Sequence, residues 1–181
     1  MDIAIFGGSF DPIHIGHEQI VKLVLDNLII DKLFIVPTYL NPFKNTYHLE
    51  PNLRLELINK LFRDINKIQV CDFEVKQKKK IPTIETINYL KSIYAIDNIY
   101  LIIGADNLKN IHLWYNFNKL KDLVKIVVIS RDNHIIKNEF IDTINYTLNI
   151  DVSSSQLREK MELKYIPTKI QQKVEEIWKK D

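Results

Sequence analysis

Short apolar runs alternate along the chain with stretches in which apolar residues recur at helical spacing. The runs lie at residues 3–6, 33–36, 68–70, 99–103 and 126–129. The helical stretches place apolar residues at Ile20, Val21, Val24, Leu25 and Leu28, at Leu53, Leu57, Ile58, Leu61 and Phe62, and at Ile84, Ile87, Leu90 and Tyr94. Uncharged runs are typical of strands buried on both faces, and the periodic stretches predict amphipathic helices. The alternation predicts an α/β fold with a doubly wound, mainly parallel sheet and helices on both faces.

The segment that follows the first predicted strand combines two glycines with two histidines. Residues 7–17 read Gly-Gly-Ser-Phe-Asp-Pro-Ile-His-Ile-Gly-His. Gly7 and Gly8 can adopt positive φ, and without a Cβ they let a ligand approach the backbone closely. His14 and His17 flank a helix predicted to begin near Gly16 or His17, where free N–H groups and the helix dipole favour anions. We therefore predict a nucleotide phosphate site here, the alternative being a turn whose histidines only cap, pack or face solvent.

Two later segments carry compatible chemistry. Gly104 follows the run at 99–103 and precedes Asp106, which can accept from a ribose hydroxyl or hold a metal-bound water. Because ligands of doubly wound sheets bind outside the carboxyl ends of the strands, we expect Gly104 beside the first turn. Ser153 and Gln156 form a predicted capping box at a helix start. The hydroxyls at 153–155 with Arg158 also suit an anion clamp.

Composition narrows the class of protein. A length of 181 residues indicates one domain, 1–181, with C-terminal helices at about 153–181 packed on it. One cysteine excludes an internal disulfide, and without a secretory pattern or a long apolar run the chain is expected to be cytoplasmic and not membrane-bound. A net charge of +2 argues against nucleic acid as a partner. The lysines at 76 and 78–80 predict a solvated loop or hairpin tip, with attraction of anionic substrates as the alternative.

Residues 7–17 and 153–158 together resemble the paired signatures of the nucleotidyltransferases related to class I aminoacyl-tRNA synthetases; residues 14–17 spell the His-Ile-Gly-His motif. Nearly the whole chain is similar to the bacterial nicotinate-nucleotide adenylyltransferase family, including a middle motif at 102–108 with Trp114-Tyr115 and substrate segments at 42–44 and 83–86. The resemblance implies a Rossmann-like nucleotidyltransferase fold. It also implies adenylyl transfer from ATP to nicotinate mononucleotide, giving deamido-NAD and pyrophosphate.

The resemblance further implies roles for individual residues. His14, His17 and Arg158 are the expected catalytic residues. The expected ATP-binding residues are Gly7, Gly8, Ser9, Phe10, His14, His17, Gly104, Asp106, Ser154, Ser155 and Arg158. For the pyridine mononucleotide, Trp114 is expected to stack on the ring, Thr83 to donate a hydrogen bond and Lys44 to lie near the phosphate. Mg²⁺ is the expected cofactor, held through phosphates and not by a carboxylate cage.

The chain departs from the family pattern at several positions. Phe43 stands where the family usually has histidine and Pro82 where it has tyrosine, while Arg131 closes a strand as expected but Asp132-Asn133 replaces a proline and a glycine. These departures lie on the substrate side, and the choice between acid and amide pyridines stays open, as does a homo-oligomeric state. Two alternative functions remain: another nucleotidyltransferase such as phosphopantetheine adenylyltransferase, whose relatives usually have threonine at position 14, and a nucleotide-binding regulator without turnover.

Overall fold

A computed structural model describes residues 1–130, 138, 140–149 and 152–179. In this part of the chain six strands form one sheet in the order β3-β2-β1-β4-β5-β6, and every neighbouring pair is parallel. The strands are β1 (Asp2–Gly8), β2 (Lys32–Pro37), β3 (Ile68–Val70), β4 (Asn98–Gly104), β5 (Lys125–Ser130) and β6 (Thr143–Thr147). The prediction of a doubly wound parallel sheet is confirmed.

Helices cover both faces of the sheet. They are α1 (Ile15–Asn27), α2 (Pro51–Phe62), α3 (Phe73–Gln77), α4 (Thr83–Ile93), α5 (Ala105–Leu108), α6 (Phe117–Leu123), α7 (Ser154–Lys160) and α8 (Thr168–Trp178), with 3-10 turns at Ile111–Leu113 and Leu163–Tyr165. Buried residues of α1, α2, α7 and α8 pack on one face, and those of α4, α5 and α6 pack on the other. Among the described residues, no helix combines the length and the apolarity needed to cross a membrane.

The central strands are apolar on both faces because each face has its own core. In β1, Ala4 and Phe6 belong to the cluster under α1 and α2, whereas Ile3 and Ile5 belong to the cluster under α4. All four side chains are at most 6% exposed. Successive strand side chains point to opposite faces, so a strand covered on both sides must be apolar at every position. This explains why the predicted strands were uninterrupted apolar runs.

The structure corrects the sequence-based expectations at two elements. Strand β6 was not predicted, because Thr143–Thr147 is largely polar and only partly buried at the sheet edge, so it gives no apolar run. The lysine-rich segment is not a hairpin tip: Lys76 lies in α3, and Lys78 ends that helix in the left-handed conformation with φ 52°. Arg131 and the Asp132-Asn133 pair lie outside the described residues.

The turn after β1 also differs from expectation. Neither Gly7 nor Gly8 has positive φ, and the left-handed residue is Phe10, with φ 48°. Helix α1 begins at Ile15 with His14 as its N-cap, about one residue before the predicted start. The glycines therefore serve close approach rather than an unusual backbone conformation.

Two adjacent isoleucines before β2 provide a test of the core. Ile30 is 4% exposed within the cluster under α1, whereas Ile29 is 96% exposed. We expect Ile30→Ala to lower the free energy of unfolding by about 2 to 5 kcal/mol, because it removes buried methylenes and leaves a cavity. Ile29→Ala should change it by less than about 0.5 kcal/mol. Urea denaturation of both variants measures the difference, and equal losses would contradict the assigned packing.

Candidate active site

The turn between β1 and α1 holds three aromatic rings in contact. The Phe10 ring meets the Phe6 ring edge-on at 5.3 Å between centroids, and the His17 ring at 4.9 Å. A Cβ added to Gly8 would lie 3.1 Å from the Phe10 ring, and one added to Gly16 would lie 3.0 Å from the His14 ring. The two glycines therefore leave the space in which these rings pack. The imidazoles are held in position by packing and not by the turn alone.

The two histidines of the turn are neighbours with defined orientation. Their ring centroids are 3.7 Å apart with planes tilted by 30°. His14 is 5% exposed, whereas His17 is partly exposed. The backbone N–H of His14 donates to Nδ1 of His17 at 3.2 Å. Because Nδ1 accepts, a neutral His17 carries its proton on Nε2.

A cavity of about 640 Å³ opens in front of these histidines. We call it the histidine cavity. Its walls come from three carboxyl-terminal strand ends and the start of α7, and they include Gly7, Gly8, Phe10, His14, His17, Gly104, Asp106, Ser153 and Ser154. The two segments that the sequence paired at long range, 7–17 and 153–158, thus meet at one cavity. The helix N-terminus of α1 adds N–H groups and a positive dipole end on the same side.

Helix α7 is fastened to the turn after β1. Ser153 caps the helix as predicted, accepting from the Gln156 backbone N–H at 3.2 Å. Ser154 Oγ donates to the carbonyl of Pro12 at 3.0 Å, and Arg158 Nη1 donates to the carbonyl of Asp11 at 2.6 Å. The other Arg158 nitrogen, Nη2, donates to Ser155 Oγ at 3.0 Å. Ser155 and Arg158 do not line the histidine cavity, so they lie beside it while Ser154 faces it.

A second cavity of about 500 Å³ lies on the far side of the β1 and β4 ends. We call it the tryptophan cavity. All three predicted substrate residues, Lys44, Thr83 and Trp114, line it. Trp114 is half-buried and also packs against the core under α4, so its stacking on a pyridine ring stays a prediction. Ser9 lines this second cavity and not the first, which differs from its predicted place on the ATP side.

The two cavities share a wall at the ends of β1 and β4. Gly7, Gly8, Gly104, Asp106 and Asn107 line both. A Cβ on Gly104 would lie 2.5 Å from Asp106 Oδ1, so the glycine permits that carboxylate to sit against the strand end. Of the carboxylates in the described part of the chain, Asp106 is the one that borders both cavities. The shared wall means that the two cavities adjoin at the ends of β1 and β4.

A buried arginine organises the tryptophan cavity, and the sequence analysis did not identify it. Arg54 is 1% exposed, and its guanidinium donates to four backbone carbonyls. The acceptors and distances are Ser9 at 2.5 Å, Thr38 and Tyr39 at 2.8 Å, and Leu49 at 3.0 Å. Burial lowers the pKa of Arg54, and the nearby Asp11 carboxylate opposes that shift. A charged residue on the otherwise apolar face of α2 was the available signal.

Asp11 binds the end of the irregular segment between β2 and α2. Its carboxylate accepts the backbone N–H of His48 at 2.8 Å and of Leu49 at 2.7 Å. Asp11 lies in the glycine-histidine turn, whereas His48 and Leu49 close the irregular segment that carries Lys44. The turn and the Lys44 segment therefore form one hydrogen-bonded unit. Asp11 was quoted from the sequence only as part of a turn, and its reach across 37 residues has no local signature.

The lysine-rich segment reaches the tryptophan cavity at one point. Lys80 Nζ donates to the carbonyl of Pro42 at 3.1 Å, and Pro42 lines the cavity. Lys76 is paired with Asp72 at 2.9 Å, and Lys78 and Lys79 are exposed. The segment is thus a solvated surface next to the cavity. Attraction of anionic substrates by it stays a prediction.

Glu74 is a buried carboxyl in the wall of the tryptophan cavity that was not predicted as a site residue. It is 5% exposed, and its Oε1 accepts from Thr86 Oγ1 at 2.6 Å. Burial raises the pKa of Glu74 to about 7, with the Thr86 hydrogen bond acting against the shift and Glu85 adding to it. Helix α3 has only five residues, which is too short for a periodic pattern to mark an inward-facing position. This carboxyl therefore changes charge near neutral pH inside a candidate binding cavity.

No metal site built from protein ligands alone is present within the described residues. None of the histidines, cysteines, aspartates and glutamates there form a group of three or more that could hold an ion. Asp106 at the shared wall is a single carboxylate, which matches a metal that takes most of its ligands from water and phosphate.

Comparison with known proteins gives consistent results. Residues 5–160 match the family model described as cytidylyltransferase-like. A protein of Aliarcobacter butzleri named probable nicotinate-nucleotide adenylyltransferase is 46% identical over 96% of this chain and 95% of its own length. One of the same name from Campylobacter fetus is 42% identical over 99% and 97%. The fold is similar to Plasmodium falciparum nicotinic acid mononucleotide adenylyltransferase complexed with NaAD, with TM-score 0.75, 24% identity and coverage of 93% and 92%.

The raised pKa of Glu74 predicts a stability effect that depends on pH. An unfolded glutamate ionises near pH 4.5, whereas the native group ionises near 7. Stability from this group is therefore complete below the lower value and is lost as pH rises through the upper one. Glu74→Gln cannot ionise, so its stability relative to the unmodified protein should increase by about 1 to 3 kcal/mol across that interval and then stay level. Urea denaturation at several pH values measures it.

Glu85→Gln is the matched control for this measurement. Glu85 lies on α4 and is exposed, so its loss should shift the pH dependence only slightly. A stability difference between Glu74→Gln and the unmodified protein that is the same on both sides of neutral pH would contradict the raised pKa.

Proposed function

The chain belongs to the cytidylyltransferase-like family and, within it, to the nicotinate-nucleotide adenylyltransferases, and from this we propose that it transfers the adenylyl group of ATP to nicotinate mononucleotide. The products are deamido-NAD and pyrophosphate. The observation that carries the proposal is the wall shared by the two cavities, because adenylyl transfer requires two nucleotides bound with their phosphates in contact. A site for one nucleotide alone has no need of the second cavity.

ATP occupies the histidine cavity in this proposal. The α1 N-terminus, Gly7, Gly8 and the two imidazoles meet its phosphates, and Asp106 accepts from the ribose or holds a metal-bound water. His17 Nε2 donates to the phosphate that reacts, since Nδ1 already accepts from the backbone. Ser154 faces the departing pyrophosphate. Arg158 and Ser154 hold α7 against the turn, while Ser155 accepts from Arg158 within the helix. Arg158 and Ser155 bind the pyrophosphate when the guanidinium leaves the Asp11 carbonyl.

The pyridine mononucleotide occupies the tryptophan cavity. Trp114 offers a half-buried aromatic face on which a pyridine ring stacks. Thr83 starts α4, where a hydroxyl and free backbone N–H groups can meet a polar ring substituent. Lys44 supplies the cation for the 5′-phosphate, and Ser9 lines the same cavity. This arrangement directs the attacking phosphate toward the shared wall.

The reaction needs alignment and charge neutralisation rather than a covalent enzyme intermediate. An oxygen of the mononucleotide 5′-phosphate forms a bond to the α-phosphorus of ATP. The bond from that phosphorus to the oxygen bridging to the β-phosphate breaks, and its electron pair leaves with pyrophosphate. Negative charge grows on the α-phosphoryl oxygens and on the leaving group, where His14, His17 and the α1 N-terminus supply hydrogen-bond donors.

Mg²⁺ fits the donor set at the shared wall. It keeps several waters and commonly binds through one or two carboxylates plus substrate phosphates, and Asp106 provides such a carboxylate. When bound, Mg²⁺ neutralises phosphate charge. Cytoplasmic location and self-association remain predictions, as does the absence of a nucleic-acid partner.

A panel of substrate pairs tests the proposed function. Pyrophosphate release is measured with ATP and either nicotinate mononucleotide, nicotinamide mononucleotide or phosphopantetheine, and with CTP and glycerol 3-phosphate. We expect turnover with ATP and a pyridine mononucleotide, because Trp114 and Lys44 suit a ring and a phosphate. The acid form should be preferred, since the relatives are named for nicotinate nucleotide. Turnover with phosphopantetheine alone would replace this proposal by the related adenylyltransferase. ATP binding without turnover in any pair would favour a regulator.

His17→Ala tests the assigned role of the partly exposed imidazole. Removing a donor that acts on developing charge is expected to lower kcat by about 10²- to 10³-fold, with a much smaller change in KM for ATP. Steady-state kinetics with both substrates varied measures the two constants separately.

His112→Ala is the control for that variant. His112 is exposed in the 3-10 turn at Ile111–Leu113 and lines neither cavity. It should keep the kcat of the unmodified protein. An unchanged kcat in His17→Ala would remove this residue from the chemistry.

A further inference from the structure

Glu74 lies in the wall of the tryptophan cavity, and only one of its two carboxyl oxygens accepts a hydrogen bond. Oε1 accepts from Thr86, whereas Oε2 is buried and has no hydrogen-bond partner among the described residues. Thr86 lines the same cavity, one helical turn from Thr83. Buried polar atoms are nearly always paired, so an unpaired carboxyl oxygen beside a cavity calls for an explanation. Neither the overall fold nor the transfer step described above uses it.

The charges around Glu74 leave its carboxyl as the titrating group of this wall. On its own helix, Lys76 is paired with Asp72, and on α4 Glu85 is exposed to solvent. From α2, Arg54 is committed to backbone carbonyls, and the Cys71 thiol before α3 has its pKa raised by burial. Across the cavity the charged groups are Lys44 and Asp106. No cation is paired with Glu74 among the described residues.

The two pyridine mononucleotides differ by one charge at the ring. The acid form carries a carboxylate, and the amide form carries a neutral carboxamide, while both carry the same ribose phosphate. A cavity of about 500 Å³ is roughly one Debye length across, so a ring carboxylate and an ionised Glu74 would repel each other in a partly desolvated space. A protonated Glu74 removes that repulsion.

We propose that Glu74 is a specificity-determining residue of the tryptophan cavity. Glu74 is protonated when the acid form of the mononucleotide is bound, whereas it can ionise when the amide form is bound. The inference rests on the proposed function, because it assigns the pyridine ring to this cavity. The proton comes from solvent and no covalent bond changes. The consequence is a substrate preference that depends on pH.

The expected pH dependence follows from the charge of free Glu74, whose pKa burial raises to about 7. Below that value the carboxyl is already neutral and the acid substrate binds without a cost. Above it, binding of the acid substrate must take up a proton, so its kcat/KM falls as pH rises. The amide substrate has no such requirement. The ratio of the two kcat/KM values cancels the titration of the shared 5′-phosphate and of ATP.

The experiment measures this ratio for the full chain from about pH 6 to about pH 8.5. We expect the acid-to-amide ratio to fall on the order of tenfold across that range. Glu74→Gln keeps an oxygen for Thr86 but cannot ionise, so its ratio should be independent of pH. Glu85→Gln is the control and should retain the fall. A ratio that is flat in the unmodified protein, or equally steep in Glu74→Gln, would overturn the proposal.

Calorimetry separates this proposal from the proposed function. Binding of nicotinate mononucleotide alone, titrated near pH 8 in two buffers of different ionisation enthalpy, reports proton uptake without turnover. We expect net uptake approaching one proton, absent with nicotinamide mononucleotide and in Glu74→Gln. Uptake in a protein that releases no pyrophosphate would support the role of Glu74 while the proposed function failed. Binding without uptake would overturn the role of Glu74 even if turnover occurred.

Discussion

The parallel pairing of β1 with β4 is the constraint on which the site depends. From β1 the chain leaves over one face of the sheet through α1, and from β4 it leaves over the other through α5 and α6. Connections that diverge in this way leave a crevice at the carboxyl ends, and both cavities open there. Gly7, Gly8 and Gly104 line the wall that the two cavities share.

Hydrogen bonds to backbone groups then fix the walls that the sheet does not build. Arg54 binds carbonyls from the turn after β1, from the end of β2 and from the segment before α2, and Asp11 binds N–H groups of that last segment. These bonds replace the water that the charges lose on burial. They also tie the turn that carries His14 and His17 to the segment that carries Lys44.

Sequence patterns predicted what depends on local chemistry. The structure contains the five apolar strands, the apolar faces of α2 and α4 and the Ser153 cap. It also brings residues 7–17 and 153–158 together, as expected from the two motifs. The sequence did not predict the polar edge strand β6 or the short helix α3, because neither buries a continuous apolar face. The sequence also did not predict the roles of Arg54, Asp11 and Glu74. Their partners are set by tertiary packing, and the sequence position of a charged residue does not reveal which groups surround it.

Arg54 and Glu74 are both buried ionisable groups, and the difference between them is informative. Arg54 meets four acceptors, so its charge is compensated by hydrogen bonds and its position is fixed in one state. Glu74 meets one donor and keeps a second oxygen unpaired, so its two protonation states are close in free energy near neutral pH. A buried charge with a full set of hydrogen bonds keeps one state and holds its surroundings in place. A buried group with an incomplete set responds to the charge of a ligand that binds beside it. The stability lost by burying Glu74 half-paired is the physical basis for that response.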